Sequence, residues 1–340
     1  MRAIKIFGEG NIGLVEKDAP QLGAEEILIK TRYVGFCGSD LNTFRGLNPM
    51  VKLPVIPGHE IGGVIEALGK NVPPEFRIGV ACTVNPYTHC GNCASCRRGR
   101  FNACRYNETF GVQRNGAMCD YIAVPWQKVL MDPELSPKDF ALVEPMSIGF
   151  HAVSRAGVSD SDCVLVLGCG MIGVGAIVRS ALRGAKVIAA DLDDDKLALA
   201  KQLGAAYTIN TGTENVHGRL TELTKDMGPD VIIEAVGLPA TYQMAVNEVA
   251  FSGRVVCIGY AKPDVSFTTK YFVMKEIDIR GSRNAEPEDF RAVIEYMKRN
   301  DWPKEKLISA VVRPEAAREA LEKWNAGPGK VFRILVDFEI

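Results

Sequence analysis

The apolar run Val164-Leu165-Val166-Leu167 is followed at once by Gly168-Cys169-Gly170-Met171-Ile172-Gly173 and then by a stretch with helical spacing. β-formers, a glycine turn and a helix in that order commit the chain to a strand–turn–helix unit. Further strand-like runs follow at Lys186-Val187-Ile188-Ala189-Ala190, Val231-Ile232-Ile233 and Arg254-Val255-Val256-Cys257-Ile258, alternating with helical stretches to about Gly281. Such alternation predicts βαβ units on a parallel sheet. A bare G-x-G-x-x-G is a weak signal, but after a strand and before a helix it lets the backbone approach a pyrophosphate at a helix N-terminus. Asp191, 18 residues past Gly173, closes the next strand, where an acid can accept hydrogen bonds from an adenosine ribose. Asp193, Asp194 and Asp195 follow with no base before Lys196, so a 2′-phosphate is disfavoured and the motif reads as NAD rather than NADP. A glycine packing turn followed by a capping acid is the plainer alternative.

From Arg2 to about Pro145 the pattern is different. Short strand-like runs, such as Glu26 to Thr31 and Ile61 to Ala67, are separated by Gly, Pro and Asn clusters, so this half reads as mainly β. A helix is expected from Pro287 to Arg299, and Phe332-Arg333-Ile334-Leu335-Val336 reads as a strand returning to the first half.

Cys90, Cys93, Cys96 and Cys104 form a C-x2-C-x2-C-x7-C cluster on a loop with Gly91, Asn92 and Gly99. Four thiolates so close in sequence can close a tetrahedral shell around zinc, and a full shell makes the site structural. Reactive or disulfide cysteines and an iron–sulfur centre are the competing readings, with His89 a neighbour and not a fifth ligand. Cys37, His59 and Glu144 are scattered, but they supply the S, N and O donors of a catalytic zinc with one open position. Taken singly, each is also a buried thiol, a core histidine or an acid beside a turn.

The 340 residues suggest two domains, and 40 basic against 41 acidic residues leave a formal charge of −1. That balance offers no basic field for nucleic acid or an anionic membrane and points to a small-molecule substrate. The longest uncharged apolar stretch, Cys163 to Val178, is 16 residues with four glycines, too short and too broken for a spanning helix. Met1-Arg2-Ala3-Ile4-Lys5 alternates like a strand and lacks the apolar core of a signal peptide, so a cytoplasmic protein is expected.

With these residues in order, the chain resembles the zinc-containing medium-chain alcohol dehydrogenase family over essentially its full length. The resemblance implies an α/β protein with a GroES-like, mainly-β catalytic domain over residues 1–150. It places a Rossmann doubly wound NAD-binding domain over 151–284 and a return to the catalytic domain over 285–340. It implies two zinc ions and one NAD per chain, in a homodimer or homotetramer. Cys37, His59 and Glu144 would be the catalytic zinc ligands, with Glu60 beside the metal and entering its shell transiently. Ser39 would relay the alcohol proton, and Asp40 would orient His59. Gly168, Gly170, Met171, Ile172, Gly173, Asp191 and Arg283 would line the cofactor.

A glutamate at the third ligand position is similar to the sorbitol, threonine and sugar-acid branches. Glu144-Pro145-Met146 and Gly281-Ser282-Arg283-Asn284-Ala285 look most like the hexonate dehydrogenases acting at carbon 5 of L-galactonate or L-gulonate. Arg283, then Arg45 and Arg114, are the candidates to hold a substrate carboxylate. Asn42 stands where the family usually has a histidine at the end of the proton relay. The rival readings are a dehydrogenase for neutral polyols or threonine, and a silent protein that binds zinc and dinucleotide without turnover.

Overall fold

The computed structural model describes residues 1–299, 301–327, 329 and 331–339. The chain divides into two compact units, one holding Met1–Glu144 and the chain from Glu286 onward except Asp301–Pro303, the other Pro145–Ala285 with Asp301–Pro303. One division falls between Glu144 and Pro145, inside the helix Val143–Ala156 and six residues before the boundary read from sequence. Glu144, the last residue assigned to the first unit, accepts a hydrogen bond from Tyr87 of that unit.

In the second unit a six-stranded parallel sheet runs Tyr207–Asn210, Lys186–Asp191, Cys163–Leu167, Val231–Glu234, Arg254–Cys257, Asp278–Gly281. In chain order this is 3-2-1-4-5-6, the Rossmann doubly wound arrangement, whose ligand crevice opens at the carboxyl ends of the strands. Val164, Leu165, Val166, Val187, Ile188, Ile232 and Ile233 are fully buried, as strands covered on both faces must be. The two edge strands, Tyr207–Asn210 and Asp278–Gly281, lack that apolar run and escaped the sequence reading: Tyr207, Asp278, Ile279 and Gly281 are exposed.

The first unit is built on the long strand Glu26–Phe36, which pairs antiparallel with Glu60–Leu68, with Tyr121–Pro125 and with Ile334–Asp337. Its Ile27, Ile29, Val34 and Phe36 face a core shared with Ile61, Ile65, Ile122 and Val336. A hairpin, Arg2–Gly8 with Asn11–Glu16, packs on the same core. The returning strand is Ile334–Asp337, two residues later than its sequence signal, and the helix Pro287–Met297 buries Phe290, Val293 and Ile294. Among the described residues no helix is long and apolar enough to cross a membrane.

Two helices of the second unit cross with almost no side chain between them. A Cβ on Gly149 of Val143–Ala156 would lie 2.3 Å from the Ala176 nitrogen, and one on Gly175 of Met171–Leu182 would lie 2.5 Å from the Met146 carbonyl oxygen. Backbone opposes backbone, so neither helix can yield by turning a rotamer. Gly175→Val should therefore destabilise the second unit by at least the roughly 1–3 kcal/mol typical of overpacking. Thermal unfolding followed by circular dichroism checks this; an unchanged midpoint would mean that the helices separate freely.

Candidate metal centres and dinucleotide cradle

Strand pairing explains how residues far apart in sequence meet. The strand Glu26–Phe36 ends one residue before Cys37, and Glu60–Leu68 begins one residue after His59. Their register sets Gly35 opposite Glu60. Cys37, His59 and Glu60 thereby bring their donor atoms within 4.8 Å of one another, with His59 and Glu60 buried. Gly35 is required here, because a Cβ would sit 2.2 Å from Glu60 Oε2.

The chemistry of this donor set fits a cation. His59 Nδ1, both Glu60 oxygens, Ser39 Oγ and Asp40 Oδ1 are buried without a hydrogen-bond partner, an expensive condition unless something else satisfies them. Burial opposes the Cys37 thiolate, yet His59 and Arg333 outweigh it and hold the thiol below its ordinary value. Burial likewise opposes the imidazolium, but Cys37, Asp40 and Glu144 push His59 well up. Burial, against the pull of Arg333, raises Glu60 well above the carboxylate range. A negative sulfur beside a trapped proton is the charge pattern that a metal ion replaces.

Both carboxylates named from the sequence act on His59, each held in its own way. Glu60 stands with Cys37 and His59, whereas Glu144 is not in that group and is held through Oε1 by the buried Tyr87 hydroxyl. Asp40 Oδ2 accepts the Cys37 N–H at 2.8 Å, and no hydrogen bond joins Asp40 to His59. Asp40 thus fixes the cysteine turn, and its effect on the imidazole is electrostatic only. Arg333 was not singled out from the sequence. Its Nη1 donates to the Phe36 carbonyl at 2.8 Å, and its Nε lies 3.0 Å from Glu60 Oε2, off the line of a hydrogen bond. One charged residue inside the apolar run Phe332 to Val336 was the available signal. Tyr87 gave none.

The second cluster is the four-cysteine loop. Its sulfurs lie 3.5 Å apart for Cys93 and Cys96, 3.9 Å for Cys93 and Cys104 and 4.0 Å for Cys90 and Cys96. A tetrahedron with metal–sulfur bonds of about 2.3 Å has edges of about 3.8 Å. All four thiols are free, and the spacing is far from the roughly 2.05 Å of a disulfide. Backbone N–H groups of Cys96 and Arg105 lower the Cys93 thiol to about 6, so the loop is already poised to carry thiolate charge. His89 packs its ring on Phe101, 4.6 Å between centroids.

In the second unit Gly168 turns at φ +91°, and Gly173 lets the helix start close on it, since a Cβ there would lie 1.8 Å from the Gly168 oxygen. Gly170 caps the helix Met171–Leu182 without a side-chain bond, leaving its first N–H groups for an anion. Met171 is buried and Ile172 half-buried in the first turn. Asp191 is tied to the turn: Oδ2 accepts the Cys169 N–H at 2.7 Å and Oδ1 those of Leu192 and Asp193 at 2.8 and 3.1 Å. Arg283 is exposed, next to Asn284 with its φ of +53°. In the first unit Arg45 Nε donates to Asn325 at 2.5 Å, and Arg114 stacks on Phe110.

Residues 23–134 match the alcohol dehydrogenase GroES-like domain and residues 172–299 the zinc-binding dehydrogenase family. The chain is similar to L-galactonate-5-dehydrogenase of Escherichia coli K12, 34% identical over 278 residues and 82% of both chains. It is similar to sorbitol dehydrogenase of Bacillus subtilis 168, 32% identical over 83% of this chain and 81% of that one. An alcohol dehydrogenase of E. coli CFT073, solved with NADH, superposes with a TM-score of 0.90 over 99% of each chain at 28% identity.

Gly35→Ala should displace Glu60 and weaken retention of one metal ion by about 10–100-fold, seen as faster loss to a chelator. Cys104→Ser should instead lower the thermal midpoint. Unchanged metal retention in Gly35→Ala would remove Glu60 from the centre.

Proposed function

The chain belongs to the zinc-type medium-chain alcohol and polyol dehydrogenase family, and on that premise we propose that it oxidises a secondary hydroxyl of an open-chain sugar acid. The substrate is a hexonate of the L-galactonate or L-gulonate type, the reacting hydroxyl is at carbon 5, and NAD takes the hydride. That the chain is an oxidoreductase acting on CH–OH groups follows from the family itself.

The observation that carries the reading is the convergence of Cys37, His59 and Glu60 donor atoms, with the buried Ser39 hydroxyl two residues on from Cys37. When bound there, zinc supplies Lewis-acid polarisation of a substrate oxygen, and NAD supplies the hydride acceptor. The chain's own residues do the rest. Cys37, His59 and Glu60 hold the ion, and Tyr87 keeps Glu144 in reserve as a further oxygen donor. Ser39 Oγ has no other partner and is the atom that would relay the hydroxyl proton, accepting it as its own hydrogen passes on towards solvent. Cys90, Cys93, Cys96 and Cys104 hold a second, structural ion. The likeness to L-galactonate-5-dehydrogenase supports the sugar acid, and the likeness to sorbitol dehydrogenase makes a neutral polyol the main competitor.

A panel of hexonates, polyols, sugars and threonine, followed by NADH absorbance, tests this. Turnover is expected to be greatest with a hexonate. A clear preference for a neutral polyol or threonine would overturn the sugar acid, and no turnover with any secondary alcohol would leave only a silent binder.

For the cofactor, the fixed Asp191 charge and the acids at 193–195 should repel a 2′-phosphate, so kcat/KM should favour NAD over NADP by about tenfold or more. Asp191→Ala should weaken NAD binding and narrow the preference. Equal efficiency with both cofactors in the unaltered protein would refute the assignment.

A further inference from the structure

We propose that Arg114 and Lys128 form a subsite for the anionic end of the substrate, a carboxylate or phosphate carried on a polyol chain. The inference rests on the dehydrogenase reading above and names what fixes the substrate's far end.

The loop from Phe110 to Gly116 is pressed against both segments that lead into the metal donors. A Cβ on Gly111 would lie 2.5 Å from the Gly58 nitrogen, and one on Gly116 would lie 2.4 Å from the Gly58 oxygen, immediately before His59. The Phe110 N–H donates to the Pro86 carbonyl at 3.2 Å, immediately before the Tyr87 that holds Glu144. The loop closes on itself where the Gly111 N–H meets the Arg114 carbonyl at 2.8 Å. Arg114 is therefore anchored to the frame of the centre and not to a free surface turn.

Its guanidinium lies over the Phe110 ring, 3.9 Å from the centroid, with Nη2 3.5 Å from the Pro86 carbonyl and Nε buried without a partner. Stacking fixes the plane of the guanidinium, a group whose outer nitrogens suit an oxyanion. Lys128 comes to the same place from the turn Trp126–Lys128, whose last carbonyl accepts the Asn85 N–H at 2.8 Å. Neither cation has an ion-pair partner among the described residues. The charges facing Arg114 are the exposed Glu108 and Lys128, and burial lowers its ordinary value. Burial and then Arg114 lower Lys128, which also faces His89. Two half-buried cations that disfavour each other, without a shared carboxylate, are relieved by a visiting anion. Arg45 is committed to Asn325.

The test compares the full-length, zinc-loaded protein with Arg114→Ala, Arg114→Lys and Lys128→Gln on L-galactonate, galactitol and galactitol 1-phosphate. Arg114→Ala should raise KM for the anionic substrates by about tenfold or more while changing kcat and the galactitol values by less than about twofold. Lys128→Gln should act in the same direction by about threefold. Arg114→Lys should restore part of the loss, more for the phosphate than for the carboxylate, because an ammonium binds the more highly charged phosphate as a point charge without the two parallel hydrogen bonds of the fork. The ratio of the two anions' KM values in the unaltered protein tells which one the subsite fits. Equal losses on galactitol would make Arg114 a packing residue and overturn the proposal.

If the unaltered protein oxidises only the neutral polyol, the sugar-acid reading fails and the subsite is judged separately. L-Galactonate or galactitol 1-phosphate should then inhibit competitively, with inhibition relieved in Arg114→Ala. No inhibition by either anion would remove the subsite.

Discussion

The register that sets Gly35 against Glu60 is the constraint on which the first unit depends. Shifting one strand by a residue would turn Ile27, Ile29 and Val34 out of the core, so the packing of those side chains enforces the pairing. The same pairing fixes Cys37 and His59 at the ends of adjacent strands. Metal geometry here is thus inherited from hydrophobic burial and needs little from the ion itself. The four-cysteine loop is the opposite case, with short glycine-rich turns and no strand between its ligands. There the ion supplies the order.

Electrostatics alone makes the group of Cys37, His59 and Glu60 unfavourable. Glu60 is fully buried, and Arg333 is its nearest cation, at 3.0 Å but poorly aligned. Removing one member of a buried pair costs about 3–5 kcal/mol, whereas an intact pair contributes little net stability. The arrangement is better understood as holding a carboxylate ready for a ligand than as holding the fold together. Two carboxylates reach the centre with different restraints, Glu60 by Arg333 and Glu144 by Tyr87, so they are not equivalent oxygen donors.

Much of this was legible in the sequence where a residue type is tied to one backbone demand. The glycine turn, the closing Asp191 and the four buried central strands were each readable, because parallel strands under helices must be apolar throughout. The edge strands were not, because a half-exposed strand carries no such run. Cys37 and His59 could be named as donors, but nothing in their spacing says that they meet. How Glu60 and Glu144 are held follows from a strand register and from the Tyr87 hydroxyl. Arg333, Gly35 and Lys128 matter through neighbours that no local pattern reveals.

Phe36 and Arg333 touch although they are 297 positions apart. At about 5–20 residues per second, roughly 15–60 s of translation separate them. All the strands of the parallel sheet have been made by then, so the cofactor unit can fold on the ribosome while the metal centre still lacks the cation that faces Glu60. A chain without Arg333 and Ile334–Asp337 would hold every strand of the parallel sheet but not the cation that faces Glu60. The contact, and the pairing of Ile334–Asp337 with Glu26–Phe36, can close only after the residues of the returning strand have been made.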